Sequence, residues 1–356
     1  MKKRASRFRA LKKLRVLVLM HEDLVPPPSL DGHSEKEIAE WQTEYDVISG
    51  LQKLDHDVYM LGVGSDLGPI RDSFAETKPH IAFNLLVHFH GVGVYDQHVV
   101  SYMELLRRPY TGCNPRGLML SRDKALSKKL LAFHRIRVPK FAVVPVGRRV
   151  IRPRRLQFPL VVKSVNEEAS LGISQASLVT SDEKLKERVE FMHETFGVDV
   201  IVEEFIAGRE LYVGVLGNQR LRSFPVWELP FEELPDHAPH IATAKLKWDL
   251  EYQKKYKIET RPAVDLPQGA EEQIRKLCKR IYRVLGLSGY ARIDLRLAPD
   301  GSVYVLEANP NPDLKNDEDF ALSARSAGVE YPELLQRLLS LGLSYQVEWK
   351  RAEPDG

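Results

Sequence analysis

Along the first hundred residues, apolar positions change period three times. VLVLM, inside LRVLVLM at 14–20, is an apolar run of strand length, the pattern of a strand buried on both faces. Ile38, Trp41, Tyr45 and Ile48 then recur at intervals of three and four, which predicts a helix. DVYMLGV (57–63) returns to strand, and HIAFNLLVHF (80–89) reads as another, with Gly91 and Gly93 loosening the loop behind it. Strand, helix, strand, loop predicts an open parallel sheet over roughly the first 115 residues.

The middle of the chain changes character. Ser121 is placed to cap a helix carrying Leu126, Leu130 and Phe133, and Pro139 closes that segment. RRVIRPRRLQFP is a basic connection punctuated by proline. PLVVKS is a strand ending in lysine, NEEASLGIS a polar loop, and Leu185, Val189, Met192 and Phe196 form a helix face. VDVIVEEFI and ELYVGVLG are two strands separated by Ala-Gly-Arg, so this part reads as a small α+β unit. A loop rich in Pro, His and Lys (235–268) precedes a helix with Ile274, Leu277, Cys278, Ile281 and Leu285. GYARIDLRL-APDG-SVYVLEAN is a hairpin, and YPELLQRLLSLG is the closing helix.

Composition narrows the class. A chain of 356 residues exceeds what one core supports, so two or three subdomains are expected, and 43% apolar content can fill them. Cys113 and Cys278 lie far apart and match no metal spacing; they read as free thiols in a reducing, cytoplasmic compartment. No apolar run approaches the roughly 20 residues of a membrane span. The net charge is only +3, but the first fifteen residues, MKKRASRFRALKKLR, carry eight basic residues and no acid. Without interleaved aromatics this reads as a solvated tail, and no nucleic-acid partner is expected.

The hairpin carries the densest chemistry. Period two puts Arg292, Asp294 and Arg296 on one face of the first strand. A four-residue APDG loop pairs Leu297 with Ser302, and therefore Arg292 with Glu307 and Asp294 with Val305. Arg292, Asp294, Glu307 and Asn309 then share one surface. Two carboxylates and an amide are the oxygen ligands magnesium takes alongside substrate phosphates, and an arginine beside them is a fixed donor for an oxyanion. A solvated sheet face with cross-strand ion pairs is the competing reading. Lys124 and Lys163 flank the small unit and together suit triphosphate oxygens, and EEASLGIS can donate backbone N–H groups to phosphate. Taken singly, each is more often a surface lysine or an ordinary loop. EEFIAGRE places acids where a ribose could be held, or where an edge strand needs a gatekeeper.

In order, the chain has SRDKALSKKLL, PLVVKSVNEEASLGIS, VIVEEFIAGRE, WDLEYQKKY, GYARIDLRL and VYVLEANPNP. This series resembles the ATP-grasp superfamily and, within it, the D-alanine–D-alanine ligases; LVHFHGVG and RRPYTGCNP resemble that family's first domain. The resemblance covers roughly residues 14–342. It implies an ATP-grasp fold, mixed α/β and α+β, preceded by a Rossmann-like parallel-sheet domain. The expected divisions are a basic tail (1–13), the α/β domain (14–117), a small ATP-grasp subdomain (118–208), a C-terminal ATP-grasp subdomain with the metal site (209–345) and a tail (346–356).

The resemblance further implies an ATP-dependent, ADP-forming carboxylate–amine ligase, with small-molecule substrates, ATP and two Mg²⁺ ions (or Mn²⁺), and a homodimer. By matching positions, Lys124 and Lys163 bind phosphates, and Lys255 reaches the γ-phosphate. Glu203, the backbone at Glu204 and Ile206, and Glu210 hold adenine and ribose, with Phe205 walling the pocket. Ser170, Leu171 and Gly172 close over the phosphates. Asp294, Glu307 and Asn309 hold metal, Arg292 stabilises the charged intermediate, and His90 lies near the acceptor. Tyr256 matches a tyrosine of a hydrogen-bond triad.

Three departures all fall on the amino-acid side. The family's serine pair is Ala169-Ser170 here, and its N-terminal glutamate has only Glu37 as nearest counterpart. After Asn309 a hydroxyl-rich loop is replaced by PNPDLKNDEDFALSAR, with acids at Asp313, Asp317, Glu318 and Asp319. The Gly-rich acidic loop behind the histidine reads VGVYDQ. ATP use is therefore expected, with an altered acceptor; D-alanine itself is the alternative, and a non-catalytic nucleotide-binding module the alternative of another class.

Overall fold

The computed structural model describes residues 12–166, 174–231, 241, 249–256, 258–347 and 350. Ala169, Ser170, Leu171 and Gly172 lie outside them.

Three sheets organise the chain. Strands β1 (Arg15–His21), β2 (Asp57–Val63) and β3 (Ile81–Asn84) form a parallel sheet in the order β2-β1-β3. Burial of the central run VLVLM on both faces explains its unbroken apolar character. One face, with Val16, Val18 and Met20, packs on the last helix, Tyr331–Ser344, and on α1 (Glu35–Lys53); the other, with Leu17 and Leu19, joins the core below the largest sheet. The third strand ends at Asn84, so the apolar LLVHF (85–89) beyond it belongs to a loop rather than to the expected longer strand.

The second sheet is antiparallel, ordered β4-β7-β5-β6, from β4 (Phe141–Val144), β5 (Leu160–Ser164), β6 (Leu178–Val179) and β7 (Val200–Glu204). Leu160, Val162, Val200 and Val202 face a helix, Asp182–Phe196. The opposite face, with Ile201, receives Ala125 from the helix Lys124–Phe133. That helix is capped by Asp123, whose side chain accepts from Leu126 N–H at 2.8 Å, and not by the expected Ser121. Ser121 belongs to a separate preceding helix, Pro115–Arg122, because Asp123 breaks the run with extended backbone.

The third sheet runs β11-β10-β8-β12-β13, with β9 (Arg222–Ser223) on β8. Its central members are β8 (Arg209–Leu216), β12 (Tyr290–Leu297) and β13 (Val303–Pro310); β10 is Trp227–Leu229 and β11 is Arg261–Pro262. Leu211, Val213, Ile293, Leu295 and Val305 turn inward against the helix Ala270–Val284. The opposite face looks toward the second sheet. At Gly214 on that face, directly across from Arg292, a Cβ would come within 2.6 Å of the Phe224 ring.

The hairpin differs from expectation in its register. Leu297 pairs with Val303, one residue further on than the four-residue loop predicted, and a β-bulge then leaves Leu306 unmatched. Beyond the bulge Asp294 pairs with Glu307 and Arg292 with Asn309. The turn offset alone would have put Glu307 opposite Ile293, facing the core. The bulge adds the second residue that returns Glu307 and Asn309 to the face of Asp294.

Candidate active site

Two sheet faces and one helix end meet at a cleft. On the small sheet, period two places Lys163 and Glu203 on the same face, with Glu203 opposite Val161. The helix Lys124–Phe133 directs Lys124 and Lys128, one turn apart, at the same place; both are buried. Glu203 is held between two ammonium groups, Lys128 at 3.2 Å and Lys163 at 3.7 Å. Burial pushes the Lys124 ammonium below its ordinary range, opposed first by the charge of Glu307. Burial likewise lowers Lys128, opposed by Glu203. Lys163 is raised, because Glu203, Glu307 and Glu210 together outweigh its desolvation.

Across the cleft, the hairpin face is an ordered charge network. The Arg292 guanidinium donates from Nε to Asp294 Oδ1 at 2.8 Å and from Nη2 to Oδ2 at 2.9 Å. Its Nη1 donates to Asp319 Oδ2 at 3.2 Å, and the group lies 4.7 Å from the Tyr212 ring centre. Asn309 Nδ2 donates to Asp294 Oδ2 at 2.9 Å and sits 3.5 Å from Glu307 Oε1. Arg296 binds Glu210 at 2.8 Å and stacks 5.6 Å from Phe205 and 5.7 Å from Phe231. The solvated-face reading of the hairpin does not hold, since Asp294 and Arg296 are 3% exposed.

Other expected residues vary. Phe205 lies beside Arg296 at the end of β7. Glu204 directs its side chain to Gln157, accepting from its N–H at 2.9 Å, and its own N–H donates to Lys140 O at 2.9 Å. Ile206, just past the end of β7, is half-buried. Glu210 is buried and already paired, with Tyr212 donating to its other oxygen at 3.0 Å. Lys255 is exposed, its ammonium 5.1 Å from the Tyr256 ring, and Tyr256 packs on Tyr252. The exposed His90 takes positive φ (+53°) and its ring makes no hydrogen bond or ion pair among the described residues. Glu37 forms a capping box with Ser34, whose backbone N–H and hydroxyl both donate to Glu37 Oε2, a local role for that carboxylate.

Sequence reasoning missed Lys128 and Tyr212, and the roles of Arg296 and Asp319. The first had a signal: two lysines four apart behind a capping aspartate share one helix face. Asp319 had none, because its pairing with Arg292 is set by how the loop after Asn309 folds back. In that loop Asp313 accepts from Thr43 at 2.6 Å, Asp317 pairs with Lys315 at 3.2 Å, and Asp46 accepts from Asn316 N–H at 2.9 Å. Glu318 and Glu44 have no cation within ion-pair distance among the described residues. Burial pushes each up to about 7.

A small antiparallel sheet and a larger one closing on a cleft of lysines, arginines and paired acids is the ATP-grasp architecture. Solved structures share it: a D-alanine–D-alanine ligase from Bacillus anthracis complexed with ATP superposes with TM-score 0.70 over 93% of this chain and 97% of that one, at 23% identity. A ligase from Coxiella burnetii gives 0.66 over 94% of each chain, at 19% identity. The family described as D-ala D-ala ligase C-terminus matches residues 137–340. The D-alanine–D-alanine ligase of Desulforudis audaxviator is 30% identical over 300 residues, 83% of this chain and 90% of that protein. An uncharacterized protein, y4sG, of Sinorhizobium fredii is 30% identical over 304 residues, 83% of this chain and 85% of that protein. The chain belongs to the D-alanine–D-alanine ligase family.

Proposed function

We propose that the chain is an ATP-dependent, ADP-forming ligase that joins the carboxylate of an amino acid or similar acid to an amine. The observation that carries this reading is the hairpin face: Asp294 opposite Glu307, Asn309 beside them and Arg292 on the same surface, across from Lys124, Lys163 and Glu203.

A carboxylate resists attack by an amine because its leaving group is oxide. Its oxygen instead attacks the γ-phosphorus of ATP, giving an acyl phosphate and ADP. The amine nitrogen then adds to the acyl carbon, the tetrahedral oxyanion collapses, phosphate leaves and the nitrogen loses its proton. Such steps ask mainly for positioning and charge neutralisation. Lys124 and Lys163 hold phosphate oxygens, and Lys255 the γ-phosphate, with the loop through Ser170, Leu171 and Gly172 covering them. Glu203 takes adenine, Phe205 walls its pocket, and Glu210, fixed by Arg296, faces the ribose. Asp294, Glu307 and Asn309 are a donor set suited to magnesium, two carboxylates and one amide oxygen. Bound Mg²⁺, two ions on this reading, supplies neutralisation of the phosphate charge. Arg292, anchored by two carboxylates, aims its guanidinium at the oxyanion, and His90 and Tyr256 border the amino-acid end.

The acceptor is an amine lacking a free carboxylate, or one carrying a second positive charge. Glu318 and Glu44, with no cation within ion-pair distance among the described residues, stand beside the acidic loop, an arrangement that would repel a carboxylate. A homodimer working in the cytoplasm completes the reading. The test is ADP release across pairs of D- and L-amino acids and simple amines, with product mass measured. ADP formed only when a carboxylate is present together with a carboxylate-free amine or a basic amino acid supports it. A D-alanyl-D-alanine product at comparable efficiency restores the unaltered acceptor, and no ADP with any pair removes the ligase reading.

A further inference from the structure

The bulge at Leu306 decides which way Glu307 and Asn309 face, so whatever holds the bulge holds the candidate metal site. Two backbone groups leave the hairpin ladder there. Val305 N–H donates to Arg137 O at 2.9 Å, just beyond the helix Lys124–Phe133. The Leu306 carbonyl accepts from the Lys128 ammonium. A buried carbonyl without a partner is costly, and a bulge always frees one. Lys128 is 1% exposed, and its helix is fixed at the start by the Asp123 cap and by Lys124 N–H to Val165 O at 3.0 Å. Its ammonium also pairs with Glu203 on the other sheet.

We propose that Lys128 is a positioning residue: fixed between the Leu306 carbonyl and the Glu203 carboxylate, it holds the register break that turns Glu307 and Asn309 onto the face of Asp294. This rests on the metal role assigned above to those three residues. Lys128 touches neither reacting atom; it acts through the strand. It also makes the nucleotide-facing acid of one sheet and the metal-facing strand of the other share a single cation.

The test is Mn²⁺ binding to the full chain saturated with ADP, followed by the loss of the free Mn²⁺ electron-paramagnetic-resonance signal, in the parent and in Lys128→Met. Groups that orient metal ligands typically contribute about 10–100-fold to affinity, so Mn²⁺ binding is expected to weaken by at least about tenfold. The Mg²⁺ concentration for half-maximal turnover should rise in the same proportion. A purely structural ammonium would lower the melting temperature and leave Mn²⁺ affinity in the folded fraction unchanged, and that result overturns the proposal. Should Lys128→Met not fold, Lys128→Arg is read in the same titration, since it keeps charge beside Glu203 but cannot seat a donor at the same point. A weakening of at least about threefold is expected, and parent-like affinity overturns the proposal. If the parent with ADP takes up no Mn²⁺, the metal role of Asp294, Glu307 and Asn309 falls, and this inference falls with it.

Discussion

The two halves of the cleft treat charge differently. On the nucleotide half, Glu203, Glu210 and Asp294 each meet a cation within 3.2 Å. These groups stand on strands and one helix, at positions fixed by periods of two and four. On the acceptor half, the buried Glu44 and the half-buried Glu318 have no cation within ion-pair distance among the described residues, and their charged neighbours belong to the loop after Asn309. A pre-paired network suits a ligand of fixed shape and charge, because little reorganises when it binds. Acids left uncompensated are held partly protonated, and they favour a ligand that brings its own positive charge. On the proposed function, the nucleotide half is thus the pre-paired part, and the acceptor half the part that sets the substrate.

The largest effect should come from breaking the nucleotide half. Glu307→Gln removes one charged ligand while keeping size and fold. Turnover should fall by about 10²–10³, the cost of losing one electrostatic donor, with ADP release as the assay; near-parent turnover would remove Glu307 from the metal site. Arg292→Lys keeps the charge but not the fork that grips both Asp294 and Asp319. Single-turnover kinetics should show a slowed amine step, and an unslowed one would place the oxyanion elsewhere.

The acceptor half gives a subtler response. Glu318→Ser should change KM for cationic amines by about tenfold, the worth of one charge-assisted contact, while KM for ATP stays put. Equal changes in both would merge the two halves. Glu44→Gln addresses stability. A carboxyl raised to about 7 in the fold stabilises fully below its unfolded value near 4.5 and loses that contribution as pH rises through 7. The parent should therefore lose melting temperature between about pH 5 and pH 8, and the variant should lose less. Matching profiles would assign the slope to other groups. Smallest of all, removing residues 1–11 should leave turnover unchanged.

Much of this is legible in the amino-acid sequence. Strand period placed Arg292 and Asp294 together, and six ordered motifs pointed to the family. The bulge was not legible, because a one-residue offset at the APDG turn and a second at Leu306 cancel in their effect on facing. The expected shared face was right, while its pairing was wrong by two residues. Helix breaks were hidden where Asp123 serves as cap, since Ser121 satisfies the same rule. The fate of the loop acids could not be read at all. Asp319 meets Arg292 across 27 positions, and Asp313 meets Thr43 across 270. Such pairings depend on tertiary closure, which no local period encodes.

The most direct measurement is a crystal structure of the full chain with ADP and Mn²⁺, using the manganese anomalous signal. A peak is expected within about 2.3 Å of oxygens from Asp294, Glu307 and Asn309, with the diphosphate reaching toward Lys124 and Lys163. Manganese and nucleotide bound away from the hairpin, with Glu307 and Asn309 touching neither, would contradict it.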